Sequence, residues 1–376
     1  MASGQHLSHL EEHKIEGSNI ELFGSEIEKR VREHAGDTEP AWETAGAQPG
    51  IEVWRIENFK VVTWPKERYG TFYSGDSYIV LYTYKPDPDS EKLAFNLHFW
   101  LGDSTTQDEM GTAAYKTVEL DDHLHGTPVQ YREVEGNESP QFLSYFANFT
   151  TLKGGVATGF HHVIDPLPLD LFKLYHIVSP EGAPANYVIV REVNPKSSLS
   201  YGDVYCLDKG TAIFQFNMQG SSGKERFKAA EFARSLSNSR GGSKCPITVS
   251  EQGASGAGAF LAALDISFEA LPTAPPPARP APRLFRISDA NSDSPKFEEV
   301  PAKGSSLDSN DTFILHAFKP PAVFVWIGSQ ASSAEKKTAI KYGQRFLAQE
   351  PGQEKTSVVR LADGQETKAF RDALAA

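Results

Sequence analysis

The chain has 376 residues and a formal net charge of −12, so it is too long for one ordinary core, and its acidic balance argues against nucleic acid as a main partner. No apolar run approaches the roughly 20 residues that span a bilayer, and the polar N-terminus has no apolar segment of a secretory signal. The two cysteines, Cys206 and Cys245, cannot build a disulfide framework, and a cytoplasmic protein with inert thiols is expected.

In chain order, residues 1–40 form a polar extension, in which Ile20, Phe23, Ile27 and Val31 share one face of an expected helix over Ile20–His34. A first domain, 41–165, opens with the strand Glu52-Val53-Trp54-Arg55-Ile56. It continues with Gly75-Asp76 turning into the apolar run Ser77–Leu81, and a second strand, His98–Leu101, closes at Gly102. An amphipathic helix with Glu109 near its start follows. A second domain, 166–270, repeats the order with Phe172–Ile177, Gly202-Asp203 before Val204–Leu207, Ile213–Phe216, and a helix entered near Glu225. Residues 271–282 hold six prolines in the eleven positions from Pro272, which reads as an extended, semi-rigid spacer. The third domain, 283–376, has Arg283–Ile287, Asn310-Asp311 before Thr312–Leu315, Val323–Ile327 closing at Gly328, and Glu335 at the start of its helix. Ala229, Phe232, Ala233 and Leu236 form the apolar stripe of the second helix. Ala339, Ile340, Gly343, Phe346 and Leu347 form that of the third.

One pattern therefore occurs three times, an acidic turn, two strands and a helix with a glutamate at its start. The Asp-to-Glu spacings are 33, 22 and 24, and successive Asp positions lie 127 and 108 residues apart, a domain-sized interval. Strand groups with one long helix each argue an α+β fold in which helices pack on a mixed sheet. A single Glu could sit at a helix start only because the helix dipole favours it, and a single Asp could be a turn residue. Three equivalent pairs favour a repeated metal site. Calcium, which takes roughly 6–8 oxygen ligands from carboxylates and carbonyls, suits such a donor set.

Other motifs fail on inspection. Asp289-Ala-Asn291-Ser-Asp293 begins like an EF-hand loop but has Ser294 where glycine and Val300 where glutamate are needed. His123, His125, His161 and His162 have no Cys or carboxylate cluster at zinc spacing. Gly253–Gly258 lacks the features of a phosphate loop and reads as a turn into a short helix over Ala259–Leu264. There is no nucleophile elbow or triad, and a non-enzymatic protein is expected. On the first helix, Met110, Ala113, Ala114, Thr117, Val118 and Leu124 can cover the sheet, while Gly111, Thr112, Tyr115, Glu119 and Asp122 fall on another face. That second face either seats in a partner's groove or is a plain surface on which Tyr115 covers its neighbours.

Several long segments carry a specific likeness. Pro49–Glu57, Tyr69–Tyr78, Phe99–Gly102, Gln107–Ala114, Val118–Asp122, Tyr131–Gly136 and Lys153–Phe160 resemble the first repeat of gelsolin. With weaker likeness in the second and third repeats, the chain resembles three-repeat severin and fragmin proteins of the gelsolin/villin superfamily. The resemblance implies three repeats, each a central mixed β-sheet packed between a long and a short helix. It implies a monomeric, calcium-regulated protein of the cytoplasmic actin cytoskeleton, acting on actin monomer and filament. Such a protein severs filaments and caps their barbed ends. The first repeat would wedge its long helix into actin and the second would bind the filament side. A calcium-dependent capper or monomer binder without severing is the runner-up, and a calcium-binding scaffold without actin activity is a more distant reading.

The resemblance also assigns residues. Calcium would be held by Gly75, Asp76, Glu109 and the carbonyl of Val156, by Gly202, Asp203 and Glu225, and by Asn310, Asp311 and Glu335. Asp121, with the backbone of Gly126 and Pro128, matches a further site that the family shares with actin. The implied actin contacts are Gly111, Thr112, Tyr115, Glu119, Asp121, Asp122, Phe160 and Arg226. Family segments that bind phosphoinositides are basic. Here Ala147–Lys153 and Lys173–Glu181 are poor in base, so lipid control is not expected.

Overall fold

The computed structural model describes residues 39–89, 91–156, 171–184, 187–240, 245–288, 296–331, 333–353 and 355–375. The expected helix over Ile20–His34, the Asp289–Asp293 loop, Phe160 and the pair His161–His162 lie outside them.

The first unit comprises β1 (Gly50–Glu57), β2 (Lys60–Thr63), β3 (Thr71–Tyr73), β4 (Ser77–Tyr84), β5 (Ala94–Leu101), α1 (Gln107–His123), β6 (Val129–Val134), α2 (Pro140–Leu143) and β7 (Thr150–Leu152). The second has β8 (Lys173–Val178), β9 (Ile189–Val193), β10 (Val204–Asp208), β11 (Ile213–Asn217), α3 (Gly223–Asn238), β12 (Ile247–Glu251) and α4 (Ala257–Leu264). The third has β13 (Arg283–Ser288), β14 (Lys296–Val300), β15 (Thr312–Phe318), β16 (Pro321–Ile327), α5 (Ser333–Gln349), β17 (Val358–Ala362) and α6 (Lys368–Ala375). Residues 271–282 form neither helix nor strand.

The same local logic builds all three. The acidic turn starts a strand (β4, β10, β15) that runs antiparallel to both the opening strand and the strand after it. The long helix then carries the chain back, so that β6, β12 and β17 pair parallel to β5, β11 and β16. A parallel neighbour needs such a crossover, which makes each sheet mixed.

Each sheet is covered on both faces. On the long-helix side, Ala113 and Leu120 of α1, with Leu124 just past its end, pack on Trp54, Ile79 and Phe99. Ala229 and Ala233 of α3 pack on Tyr175 and Cys206, and Ala339, Phe346 and Leu347 of α5 on Phe285 and Ile314. On the opposite side, Phe142 of α2, Phe260 of α4 and Phe370 of α6 anchor the short helices. Gly343 lets α5 approach β16 and β17 closely, because a Cβ there would lie 2.5 Å from Val358 Cγ1. The fold is α+β, as expected, with each mixed sheet between a long and a short helix.

The units also share sheets. Strand β17 pairs antiparallel with β6, matching Val358 to Arg132 and Arg360 to Gln130, and so joins the first and third units in one ten-stranded sheet. Strands β3 and β7 leave the first unit for the sheet of the second, where β7 pairs with β9. Ile340 of α5 packs against the core beneath α1. Among the described residues, no helix is long and apolar enough to cross a membrane.

Candidate functional site

Asp76 sits at the start of β4 and is fully buried. Its Oδ1 accepts from the Val156 N–H at 2.7 Å, while Oδ2 accepts from the Tyr78 hydroxyl at 3.2 Å and lies 3.4 Å from Arg55 Nη1. Burial raises the Asp76 carboxyl above its ordinary value. The Val156 N–H, the Arg55 charge and the Tyr78 hydroxyl pull it down, and the nearby Glu109 charge adds to the rise. The backbone around it is tight. Gly75 N–H donates to Gly154 O at 2.7 Å, and a Cβ on Gly75 would lie 2.6 Å from that oxygen. A Cβ on Gly155 would lie 2.5 Å from Asp76 Oδ1.

Glu109 stands at the third position of α1. Its carboxylate accepts from the Thr106 N–H at 3.3 Å, and its own N–H donates to Thr106 Oγ1 at 3.2 Å, a reciprocal capping box. Glu225 makes the same box with Ser222, and its other oxygen accepts from the Ser179 N–H at 2.8 Å. The helix-start reading of both glutamates is thus realised, and for Glu109 it coexists with a place close enough to Asp76 for its charge to act on that carboxyl.

The three turns are superposable in their bonding. The carbonyl of Asp76 accepts from Gly102 N–H at 3.1 Å, that of Asp203 from Met218 N–H at 3.0 Å, and that of Asp311 from Gly328 N–H at 3.0 Å. Each carboxylate also has a basic partner on the opening strand: Arg55 for Asp76, His176 for Asp203 at 2.7 Å, and Arg286 for Asp311 at 2.9 Å. Gly202 needs to be glycine because its φ is +90°. Asn310 does not adopt a positive φ, and its N–H and Nδ2 both bond Asp308 Oδ1, so this turn is built without glycine. The side chain of Glu335 lies outside the described residues.

The fourth set gathers at the C-terminal end of α1. Gly126, with φ +68°, donates its N–H to Asp121 O at 2.8 Å. Arg360 Nη1, from β17, lies 3.9 Å from Asp121 Oδ1 and 3.5 Å from the Pro128 carbonyl. Asp121, Gly126 and Pro128 are therefore together, and an arginine of the third unit is among them.

The helix face departs from the expectation for one residue. The sequence places Glu119 with the outward group, but it is 1% exposed. Lys116, itself near the Tyr115 ring, bridges Glu119 at 2.7 Å and Glu39 at 2.9 Å, and so draws the carboxylate inward. Gly111, Thr112, Tyr115 and Asp122 are half-buried. On α3, Arg226 pairs with Glu251 at 3.0 Å, and the neighbouring Phe227 is 66% exposed, with Ala230, Glu231 and Arg234 beside it on the same open helix face. Phe227 escaped the sequence reading, although an aromatic off the helix's apolar stripe is a visible signal.

Among the described residues, no three Asp, Glu, His or Cys side chains gather at metal distance, so further ligands at each turn would be carbonyls. Paired carboxylates, an all-oxygen donor set and the glycine-lined approach to Asp76 fit a hard cation such as calcium.

Comparison with known proteins places this architecture. The gelsolin-repeat family pattern matches residues 58–143, 194–259 and 293–371. Gelsolin-like protein 2 of Lumbricus terrestris is 39% identical over 366 residues, covering 96% of each chain. Severin of Echinococcus granulosus is 35% identical over 347 residues, covering 88% of this chain and 89% of that one. The actin depolymerising venom protein gelsolin 1 of Platymeris rhadamanthus is 37% identical over 356 residues, covering 89% and 91%.

Proposed function

Because this chain belongs to the gelsolin-repeat family, we propose that it is a calcium-regulated actin-binding protein that severs filaments and caps their barbed ends. Relatives whose names denote gelsolin, severin and actin depolymerisation, alike over most of their length, support actin as the partner. The domain limits we propose are 41–165, 166–270 and 283–376, with residues 271–282 as the spacer.

The single observation that carries the regulatory part is the covered state of α1. Strand β17 completes the first unit's sheet through β6, Ile340 packs beneath α1, and Arg360 stands at Asp121 and Pro128. Ser357 Oγ adds bonds to Glu133 and to the Asn137 carbonyl, and Gln365 Nε2 donates to Thr127 O at 3.1 Å. In this arrangement the proposed monomer-binding helix and the site shared with actin are both engaged by the third unit. Actin binding then requires the β6–β17 seam to part.

Asp76 and Glu109, Asp203 and Glu225, and Asp311 and Glu335 would hold calcium, joined by the carbonyls at each turn, with Asp121, Gly126 and Pro128 as the shared site. Calcium bound there would supply positive charge between a strand-start aspartate and a helix-start glutamate. Each such pair would tie a strand to the long helix beside it, and Ile340 of α5 packs on the core that α1 covers. Phe227 and Arg226, on the exposed face of α3, provide the filament-side surface.

Imaging of single actin filaments across calcium concentrations tests the reading. New breaks that appear only with calcium, followed by blocked barbed ends, are expected. Stable filaments that stop growing without breaking would reduce the activity to capping, and no effect on filament or monomer would leave a calcium-binding scaffold.

A further inference from the structure

The three acidic turns share a second feature, which lies outside the proposed ligand set. Each opening strand carries a basic residue between an aromatic and an isoleucine: Trp54-Arg55-Ile56, Tyr175-His176-Ile177 and Phe285-Arg286-Ile287. Register explains why it matters. Arg55 pairs across the sheet with Tyr78, His176 with Tyr205, and Arg286 with Phe313. In every case the partner is the second residue after the site aspartate. Because side chains two apart share a face, the basic group becomes the diagonal neighbour of that aspartate. The distances follow: 3.4 Å for Arg55–Asp76, 2.7 Å for His176–Asp203 and 2.9 Å for Arg286–Asp311.

We propose that Arg55 and Arg286 are built-in counter-cations that set calcium affinity at the first and third turns. Each neutralises its aspartate while the site holds no metal, and each opposes an incoming divalent ion. The inference rests on the calcium reading above and deepens it. It is carried by the two arginines, whose charge is permanent.

The two arginines are not equal. The Arg55 side chain is 5% exposed and its Asp76 partner 0%. Its Nε donates to Glu57 Oε1 at 2.7 Å, and its guanidinium lies over the Trp64 ring at 4.8 Å. It is clamped and cannot swing away, so calcium at Asp76 has to be accommodated beside it. The Arg286 side chain is 50% exposed, and water can take up its charge when it is displaced. The first site therefore has the larger built-in opposition, partly relieved by Glu57. The third has a weak one. A buried charge acts through a lower effective dielectric than an exposed one, which fixes the order.

The test is calorimetric titration of the chelator-stripped full chain with calcium chloride. Asp203→Asn and Asp311→Asn leave the first turn as the site read out, and the site shared with actin stays silent without actin. Arg55→Gln is expected to tighten calcium binding about tenfold. Arg55→Lys keeps the charge and should stay within about twofold, whereas Glu57→Gln, which leaves Arg55 unbalanced, should weaken binding roughly threefold. With Asp76→Asn and Asp203→Asn as background, Arg286→Gln should tighten the third site by no more than about threefold. Unchanged or weaker binding by a folded Arg55→Gln chain, or equal effects of Arg55→Gln and Arg55→Lys, overturns the proposal while leaving the calcium reading intact. If Arg55→Gln does not fold, tighter or unchanged binding in Glu57→Gln overturns it in the same way. No calcium binding by the unsubstituted chain removes both, and that outcome is distinguished because it precedes any variant.

Discussion

Arg360 Nη1 lies 3.9 Å from Asp121 Oδ1, across the boundary between the third and first units, with side chains only 12% and 10% exposed. The same nitrogen is 3.5 Å from the Pro128 carbonyl. An arginine of one repeat thus stands where two proposed ligands of another converge.

Neutralising it should loosen the covered state. Arg360→Gln is expected to lower the calcium concentration for half-maximal actin-monomer binding about fivefold, equivalent to roughly 1 kcal/mol of a partly buried ion pair. Monomer binding followed by fluorescence anisotropy at a series of buffered calcium levels measures it, and an unchanged midpoint would detach Arg360 from regulation.

Asp76→Asn combined with Glu109→Gln should weaken calcium at the first site by at least about tenfold, since amides lack the carboxylate charge. Gln can keep the capping box with Thr106, but Asp76→Asn takes a carboxylate partner from the buried Arg55, which keeps Glu57, so the metal-free melting temperature should fall for the double variant and stay near the parent's for Glu109→Gln alone. Calorimetric titration and a thermal melt in chelator separate the two effects. A large loss of metal-free stability with unaltered binding would make the pair structural.

Gly155→Ala probes the cradle. The added Cβ would lie 2.5 Å from Asp76 Oδ1 and 2.9 Å from Gly75 C, so both must shift. We expect a stability loss of about 1–3 kcal/mol, together with loss of calcium binding at the first site only. Urea unfolding and calcium stoichiometry give the two numbers; full stoichiometry would show that Gly155 serves packing alone.

His316, in β15, is 0% exposed, and neither ring nitrogen has a hydrogen-bond partner among the described residues. Burial, with a contribution from the Arg283 charge, lowers its pKa from 6.5 to about 4. An unfolded histidine takes its proton near pH 6.5, the folded one only near 4. Between those values the unfolded state holds the extra proton, and stability falls as pH falls. The loss should approach 3 kcal/mol, as an order of magnitude. His316→Phe, which can keep the ring contacts with Phe318 and Phe346, should flatten that slope. Urea midpoints from pH 7 to pH 4 test it, and parallel slopes for both chains would refute the assignment.

Much of this was legible in the residues. The acidic turn, the strand closing in glycine and the helix-start glutamate are local signals, and they located the equivalent turns and the long helices. The apolar stripe of α5 was readable too, down to the glycine that lets it approach the sheet. What escaped depends on long-range pairing. Nothing in Val129–Val134 or Val358–Ala362 announces that these strands meet, because backbone hydrogen bonding between sheets leaves no residue signature. The inward turn of Glu119 depends on Lys116 and on Glu39, 77 residues earlier than Lys116. The basic partners of the aspartates were present in the quoted strands, but their meaning appears only once the register aligns them with Asp76, Asp203 and Asp311.

Parting of β6 from β17 has a second effect, on what the molecule shows to its surroundings. Two rows of backbone N–H and C=O groups lose their partners at once, and Val129, Tyr131, Val359 and Leu361 lose their common cover. A bare, apolar strand margin is a template for any other extended chain, including a second copy of this one. On the calcium reading proposed above, the activated chain would need to be met promptly by a partner or would adhere to itself. Calcium added without actin should promote self-association, and the same calcium with actin present should suppress it.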